Sequence, residues 1–229
     1  MNALYCFSGA GHSRAVARFF AHELGLDIRE IGNGFFGTGE RPDTAILVFP
    51  VYGQNLPWPV KEALRSIAAD DMVLVATYGG MSYGNVLWEA AQLTQSRVIA
   101  AACLPIGHTY LGEPADFDPS AMQPILERIA HPKRAEIKRT RKNPLADFLP
   151  SYRSRYGVRI QKDGSCGDCC LCEIRCPVGA MLHGQPSRHC LRCLRCVEHC
   201  PRQALQVTYH PFLKRYLRKK RQSEFLLYL

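Results

Sequence analysis

Two copies of one cysteine pattern dominate the second half of the chain: CGDCCLCEIRCP at residues 166–177 and CLRCLRCVEHCP at residues 190–201. Both copies read C-x2-C-x2-C-x3-C-P. Three thiolates spaced two residues apart come from one loop, which wraps one face of a bound group and cannot also reach its far side. The fourth cysteine at each site must therefore arrive from elsewhere. The candidate ligands are eight: Cys166, Cys169, Cys172, Cys176, Cys190, Cys193, Cys196 and Cys200.

This pattern resembles that of bacterial ferredoxins with two [4Fe-4S] clusters, in which the fourth cysteine of each motif ligates the other cluster. The resemblance implies two ligand sets that each combine three cysteines of one motif with the last cysteine of the other. One set is Cys166, Cys169, Cys172 and Cys200, and the other is Cys190, Cys193, Cys196 and Cys176. Such an exchange lets a segment that is too short for its own apolar core fold around metal.

A proline follows the last cysteine of each motif. Proline has no N–H to satisfy and a φ that suits the first turn of a helix. We expect Pro177 and Pro201 to start short helices through Gly179–Met181 and Gln203–Leu205.

Zinc and disulfide bonds are the alternatives for these cysteines. Zinc sites usually contain paired C-x2-C knuckles separated by a dozen or more residues, which two tandem runs of four fit poorly. Disulfides need an oxidising compartment, whereas the first residues lack the character of a signal peptide and eleven cysteines cannot all pair. Cys170, which lies between two candidate ligands, is expected to be a spare thiol; a regulatory or substituting ligand role is the alternative.

The length of 229 residues suits one medium domain and one small one. No uncharged run reaches the roughly 18 residues of a membrane span, so we expect a cytoplasmic protein. Charge is uneven: residues 1–130 contain 8 Lys/Arg and 13 Asp/Glu, a net of −5, whereas residues 131–229 contain 21 and 7, a net of +14. The basic excess is therefore a local property of the second half.

The chain begins with a predicted strand over Asn2–Phe7, a turn of small residues and a predicted helix over Arg14–Leu24. In such a unit, backbone N–H groups and a helix N-terminus face an anion. The turn resembles the phosphate loop of flavodoxins, with Ala10 in place of a hydroxyl residue and His12 in place of Asn. The residues that this resemblance assigns to the phosphate are Ser8, Gly9, Ala10, Gly11, His12 and Ser13.

Strands and helices then alternate. Predicted strands cover Asp27–Ile31, Thr44–Pro50, Asp71–Thr77 and Arg97–Ile106, and the middle two are the continuous apolar runs of strands buried on both faces of a parallel sheet. Predicted helices cover Pro57–Ala68, Tyr83–Leu93 and Pro119–Ala130. This order predicts an α/β fold with a doubly wound, five-stranded parallel sheet, and the resemblance to flavodoxin implies the strand order 2-1-3-4-5.

Ligands of such sheets bind beyond the carboxyl ends of the strands. Two further loops leave those ends, and each contains tyrosine and glycine. Glycines let the backbone approach a flat ring and tyrosines can stack on it, so FMN fits best. The predicted contacts are Pro50, Val51, Tyr52 and Gly53 in the second loop, and Thr77, Tyr78, Gly79, Gly80, Tyr83 and Gly84 in the third.

Residues 131–157 are basic and interrupted by prolines, and they are expected to link an FMN domain at 1–130 to a ferredoxin-like domain at 158–210. Strands Val158–Lys162 and Gln206–Tyr209 are expected to pair. Residues 211–229 are interpreted as a basic amphipathic C-terminal helix. This segment packs on the domain, docks an acidic redox partner or makes peripheral contact with an anionic membrane surface.

Residues 1–130 and 158–210 together resemble fusions of a flavodoxin-like and a ferredoxin-like domain that transfer electrons. The resemblance implies a carrier between FMN and two [4Fe-4S] clusters that serves a partner oxidoreductase, because flavin accepts two electrons and each cluster carries one. A flavin-dependent reductase with its own small-molecule substrate is the alternative. No catalytic residues are predicted, since the chain contains no catalytic triad or dinucleotide fingerprint. No specific nucleic-acid motif accompanies the basic residues.

Overall fold

The computed structural model describes residues 1–35, 39–148, 155–219, 221 and 224–229. The described part of the α/β domain (residues 1–130) contains five strands and four α-helices in the predicted alternation. The strands are β1 (Ala3–Cys6), β2 (Ile28–Glu30), β3 (Thr44–Pro50), β4 (Asp71–Tyr78) and β5 (Arg97–Pro105). The helices are α1 (His12–Leu24), α2 (Trp58–Ser66), α3 (Val86–Leu93) and α4 (Gln123–Ala130).

The five strands are parallel and lie in the order 2-1-3-4-5, as predicted. Leu4 of β1 pairs with Ile28 of β2 on one side and with Ile46 of β3 on the other. All eight residues of β4 are buried, as are the first six of β3. The continuous apolar runs therefore mark strands covered on both faces by helices.

The end of the chain adds a sixth strand to this sheet, which the sequence did not predict. The helix expected over residues 211–229 covers only Pro211–Leu217, and Leu226–Tyr228 form a strand that pairs antiparallel with β5. The edge of β5 offers unpaired backbone groups, and this last segment satisfies them. The prediction of one helix to the C-terminus was wrong for that reason.

The cluster region (residues 158–209) contains two antiparallel strand pairs and two one-turn helices. The predicted pairing of its flanking strands is confirmed, because Val158–Lys162 pairs with Leu205–Tyr209 from Val158↔Tyr209 to Lys162↔Leu205. Met181–Leu182 and Gln185–Pro186 form the smaller pair. In the order of the chain, the further helices are α5 (Leu145–Phe148), α6 (Leu171–Ile174), α7 (Arg195–Glu198) and α8 (Pro211–Leu217).

The helices expected after the two prolines are not formed. The one-turn helices α6 and α7 instead end before the fourth cysteine of each motif. Gly179 and Gln203 have positive φ values of 58° and 50°. Left-handed residues two positions after each proline stop a right-handed helix there.

The segment predicted as a linker is attached to the α/β domain over much of its length, although residues 149–154 lie outside the described residues. Ala135 donates its N–H to Val98, and Lys142 forms an ion pair with Glu89 at 2.5 Å. Within the described parts of the chain, no helix is long and apolar enough to cross a membrane.

Candidate functional site

The two cysteine motifs have the same backbone conformation, and each feature recurs 24 positions later in the sequence. Asp168 and Arg192 have φ values of 48° and 58°, and Cys170 and Leu194 have values of 57° and 66°. Non-glycine residues rarely adopt such angles, and of these four only Asp tolerates them readily, so the conformation has a cost that the surroundings must offset. Equivalent positions of the two motifs thus have the same left-handed conformation although their residue types differ. This repetition indicates that both loops have the same role.

The fourth cysteine of each motif accepts a backbone hydrogen bond in the same way. Ala180 donates its N–H to Cys176 Sγ at 3.1 Å, and Ala204 donates to Cys200 Sγ at 3.3 Å. Hydrogen bonds to the sulfurs are one of the means by which a protein sets the potential of an iron–sulfur cluster. The turn after each proline therefore places a backbone N–H against the sulfur of the cysteine that precedes the proline.

The first ligand set implied by the resemblance lines one cavity. Its walls include Cys166, Cys169 and Cys172 from the first motif and Cys200 from the second. The exposed Cys170 also lines it. The structure thus brings Cys200, which follows Cys172 by 28 residues, to the loop that contains the first three cysteines of the first motif.

The second set lies deeper in the protein. Burial is the main cause that raises the pKa of the Cys193 thiol to about 12; a backbone hydrogen bond from Arg195 opposes the shift, and the neighbouring Cys190 and Cys176 add to it. Burial likewise raises the pKa of Cys196 to about 12, with Cys193 and Cys190 next in effect. Thiols in such surroundings stay protonated at neutral pH unless a bound cation compensates the thiolate charge.

No three His, Cys, Asp or Glu side chains in the described ranges are grouped closely enough to hold one metal ion. The ligand-set assignments therefore depend on the shared cavity and on the proximity of the buried thiols.

The predicted phosphate loop has free backbone donors. Within the described residues, the structure shows no acceptor for the N–H groups from Gly9 to Ser13. The hydroxyls are already engaged: Ser8 Oγ accepts from the Arg14 N–H at 3.3 Å, and Ser13 Oγ lies 2.8 Å from Thr77 Oγ1. His12 Nε2 lies 2.9 Å from the Glu113 carbonyl oxygen. The backbone N–H groups of this loop are therefore available to an anion.

Two glycines among the predicted FMN contacts, Gly9 in the phosphate loop and Gly79 in the third loop, are approached by side chains of this protein. A methyl group at Gly9 would collide with Tyr52 Oη and Cys193 Cβ. At Gly79 it would lie 2.5 Å from the His108 ring. Close packing within the protein accounts for these glycines.

The tyrosines of the third loop are covered by the C-terminal segment. Tyr78, 2% exposed, donates its hydroxyl to the Glu224 carbonyl oxygen at 2.6 Å, and Tyr83 donates to the Glu224 carboxylate at 3.0 Å. Arg221 donates to the Gly79 carbonyl oxygen at 3.0 Å and pairs with Glu113. In this conformation, the third loop of the predicted FMN site is closed to a flavin ring.

The two halves of the molecule meet at the phosphate loop and the second cysteine motif. Arg195 donates its Nε–H to the Gly9 carbonyl oxygen at 2.8 Å, and Tyr110 donates its hydroxyl to the Arg192 carbonyl oxygen at 2.8 Å. Sequence reasoning did not find Arg195, Arg221 or Glu224 as contacts of the flavin loops. Nothing in their local sequence signals contacts with residues more than 100 positions away.

Comparisons with known proteins cover only parts of the chain. No family model matches it. An uncharacterized protein of Methanocaldococcus jannaschii is 30% identical over 67 residues, which are 29% of this chain and 28% of the archaeal protein. The crystal structure of a provisionally assigned flavoprotein from Bacteroides eggerthii aligns with a TM-score of 0.39 and 17% identity, over 56% of this chain and 97% of that one.

Proposed function

We propose that this protein is an electron carrier that holds two [4Fe-4S] clusters and FMN and serves a partner oxidoreductase. The observation that carries the proposal is the cavity that joins Cys200 to Cys166, Cys169 and Cys172. Two independent four-cysteine sites would keep Cys200 with its own motif. Exchange of the last cysteine is the arrangement that two-cluster ferredoxins use.

The donor set fits cubane clusters. One cluster is held by Cys166, Cys169, Cys172 and Cys200, and the other by Cys190, Cys193, Cys196 and Cys176. A four-iron cluster spaces its ligand sulfurs more widely than one ion does, so it does not require three cysteines to converge on a point. The left-handed residues of both loops and the amides of Ala180 and Ala204 support the same assignment.

The chain's own groups then have definite roles. The buried surroundings of Cys193 and Cys196 exclude water from the second cluster. Arg195 fixes the second motif against Gly9, so a cluster held by that motif would lie beside the phosphate loop. When bound, the clusters supply one-electron transfer and FMN supplies exchange between one-electron and two-electron steps. Because the phosphate loop and the second cysteine motif are close together, electrons can pass between the flavin and a cluster within one polypeptide.

The partner is proposed to have an acidic docking surface. Residues 131–229 have a net charge of +14, which favours association with negative charge and gives salt-sensitive binding. The second proposed role of the same basic residues is peripheral contact with an anionic membrane surface through residues 211–229.

The test is metal and flavin analysis of protein purified without oxygen. We expect about eight iron atoms, about eight sulfides and about one FMN per chain, with the spectra of [4Fe-4S] clusters. Cys166→Ser and Cys190→Ser each remove a ligand of one cluster and should lower iron towards about four. Cys170→Ser is the matched control and should retain the full content, because Cys170 belongs to neither ligand set.

Zinc in place of iron would contradict the proposal, and so would an equal loss of iron in Cys170→Ser. Iron and sulfide without flavin would leave a two-cluster carrier and remove its flavin half.

A further inference from the structure

A large cavity borders the phosphate loop and does not include the two tyrosine loops. It has a volume of about 1200 Å³ and runs between the α1 and β2 ends of the α/β domain and helix α6 of the cluster region. Ala10 and Gly11, at the start of α1, line it, whereas none of the predicted ring contacts in the second and third loops does. Ligand pockets usually enclose about 300–1000 Å³, so the cavity has room for a mononucleotide.

The walls of this cavity attract anions. Four arginines line it against two glutamates. Glu30 is already paired with Arg14 at 2.6 Å, and Glu173 accepts the His183 N–H at 2.6 Å. Arg18, Arg175 and Arg195 have no carboxylate within salt-bridge distance in the described residues. Positive charge from both halves of the molecule therefore faces the space next to the first turn of α1.

Part of the cavity wall is apolar. Ile31 and Phe35 follow β2, and Ile174, 76% exposed, and Pro177 come from the first cysteine motif. Phe35 packs edge-on against Tyr5, with ring centroids 5.9 Å apart, which holds it in place. An exposed isoleucine and a fixed aromatic ring beside a cluster of arginines suit a ligand with one anionic end and one flat, apolar end.

We propose that the FMN of the proposed function binds in this cavity and not on the tyrosine loops. Its phosphate lies towards Gly11, Arg18 and Arg175, and its ring towards Phe35 and Ile174. The inference rests on the proposed function for the presence of a flavin. It replaces the ring site that the sequence predicted, because Glu224, Arg221 and His108 cover the third loop of that site.

This position joins three parts of the molecule. Cys176, a ligand of the second proposed cluster, lines the cavity, so the flavin and the cluster share a wall. The arginines come from α1 and from both cysteine motifs, so the bound phosphate holds the α/β domain and the cluster region together. A flavodoxin-like domain alone would lack half of this site.

The experiment measures FMN binding to the full chain, with clusters in place, by quenching of flavin fluorescence. Arg18→Glu reverses one charge on the exposed side of α1, and Arg65→Glu makes the same change on α2, away from the cavity. We expect Arg18→Glu to weaken FMN binding at least about tenfold and Arg65→Glu to leave it within about twofold. Binding of riboflavin, which lacks the phosphate, should be equal in both variants.

Tyr83→Leu tests the alternative ring site, and iron content verifies that every variant retains its clusters. Loss of FMN affinity in Tyr83→Leu, with Arg18→Glu no weaker than Arg65→Glu, would overturn the inference and leave the proposed carrier intact. Failure of the unchanged protein to bind FMN while iron and sulfide are present would remove both the inference and the flavin half of the function.

Discussion

All eight residues of β4 in the α/β domain are buried, whereas in the last strand of the cluster region only Leu205 is buried. The buried residues that the cluster region does have, such as Val158 and Ile160, belong to the same core as Tyr5 and Leu47 of the sheet. The α/β domain can bury enough apolar area to stabilise itself. The cluster region has to rely on that domain and, under the proposed function, on metal.

The loops of the two regions differ in a related way. Chain reversals in the α/β domain place glycine at left-handed positions such as Gly25 after α1. In the cluster region the left-handed positions are mostly held by other residues, among them Asp168, Arg192 and Leu194. Those loops carry conformational strain that local sequence does not relieve. A bound group whose binding free energy offsets the cost of the left-handed conformation would explain why both motifs have it.

Removal of metal should have the largest effect on stability, and it tests most directly the difference between the α/β domain and the cluster region. We expect chelation of iron to unfold residues 158–209 locally while the sheet persists, because only the cluster region lacks its own core. Hydrogen exchange measured by mass spectrometry can compare peptides from 158–209 with those from β3 and β4. Equal loss of protection in both regions would show that the two are one cooperative unit.

Acid should act at the contact between His108 and the C-terminal segment. Burial and then Arg221 lower the pKa of His108 from 6.5 to about 4, while Glu113 opposes the shift and His12 adds to it. Below pH 6.5 the unfolded chain binds a proton that the folded protein does not. Stability is therefore complete above that pH and falls as the pH approaches 4, by up to about 3 kcal/mol from this residue.

His108→Asn isolates this contribution. Asparagine retains an acceptor for the Tyr110 N–H, which now donates to His108 Nδ1 at 3.1 Å, but it does not titrate. Denaturant unfolding at pH 7.5 and pH 5 should show a smaller difference in the variant than in the unchanged protein. The same pH dependence in both proteins would mean that His108 does not control it.

A methyl group at the junction of the two regions should have a smaller effect. Gly9→Ala would place its Cβ against Tyr52 and Cys193, and overpacking of this kind typically costs about 1–3 kcal/mol. Gly164→Ala is the matched control, since nothing lies within 4 Å of the added Cβ. The free energy of unfolding from urea titrations measures the difference. A Gly9→Ala protein as stable as the control would mean that the junction is looser than the structure shows.

Periodicity and spacing predicted much of this molecule. The apolar runs at Thr44–Pro50 and Asp71–Thr77 determine buried parallel strands because the core requires apolar residues on both faces. The spacing of the cysteines predicted which residues are candidate ligands, and the structure places Cys200 in the wall of the cavity that the first motif lines. The ligand assignment itself stays a prediction. These features are encoded within short windows of sequence, where local pattern is sufficient.

Long-range packing decided the rest. The same residues, Leu226–Tyr228, suit either a terminal helix or an edge strand, and only the free edge of β5 selects the strand. The glycines at 9 and 79 signal a close approach, but the sequence does not say by what, and in the folded chain Tyr52, Cys193 and His108 approach them. The open side of the phosphate loop depends on surfaces brought together from distant positions, so composition and spacing could not identify it.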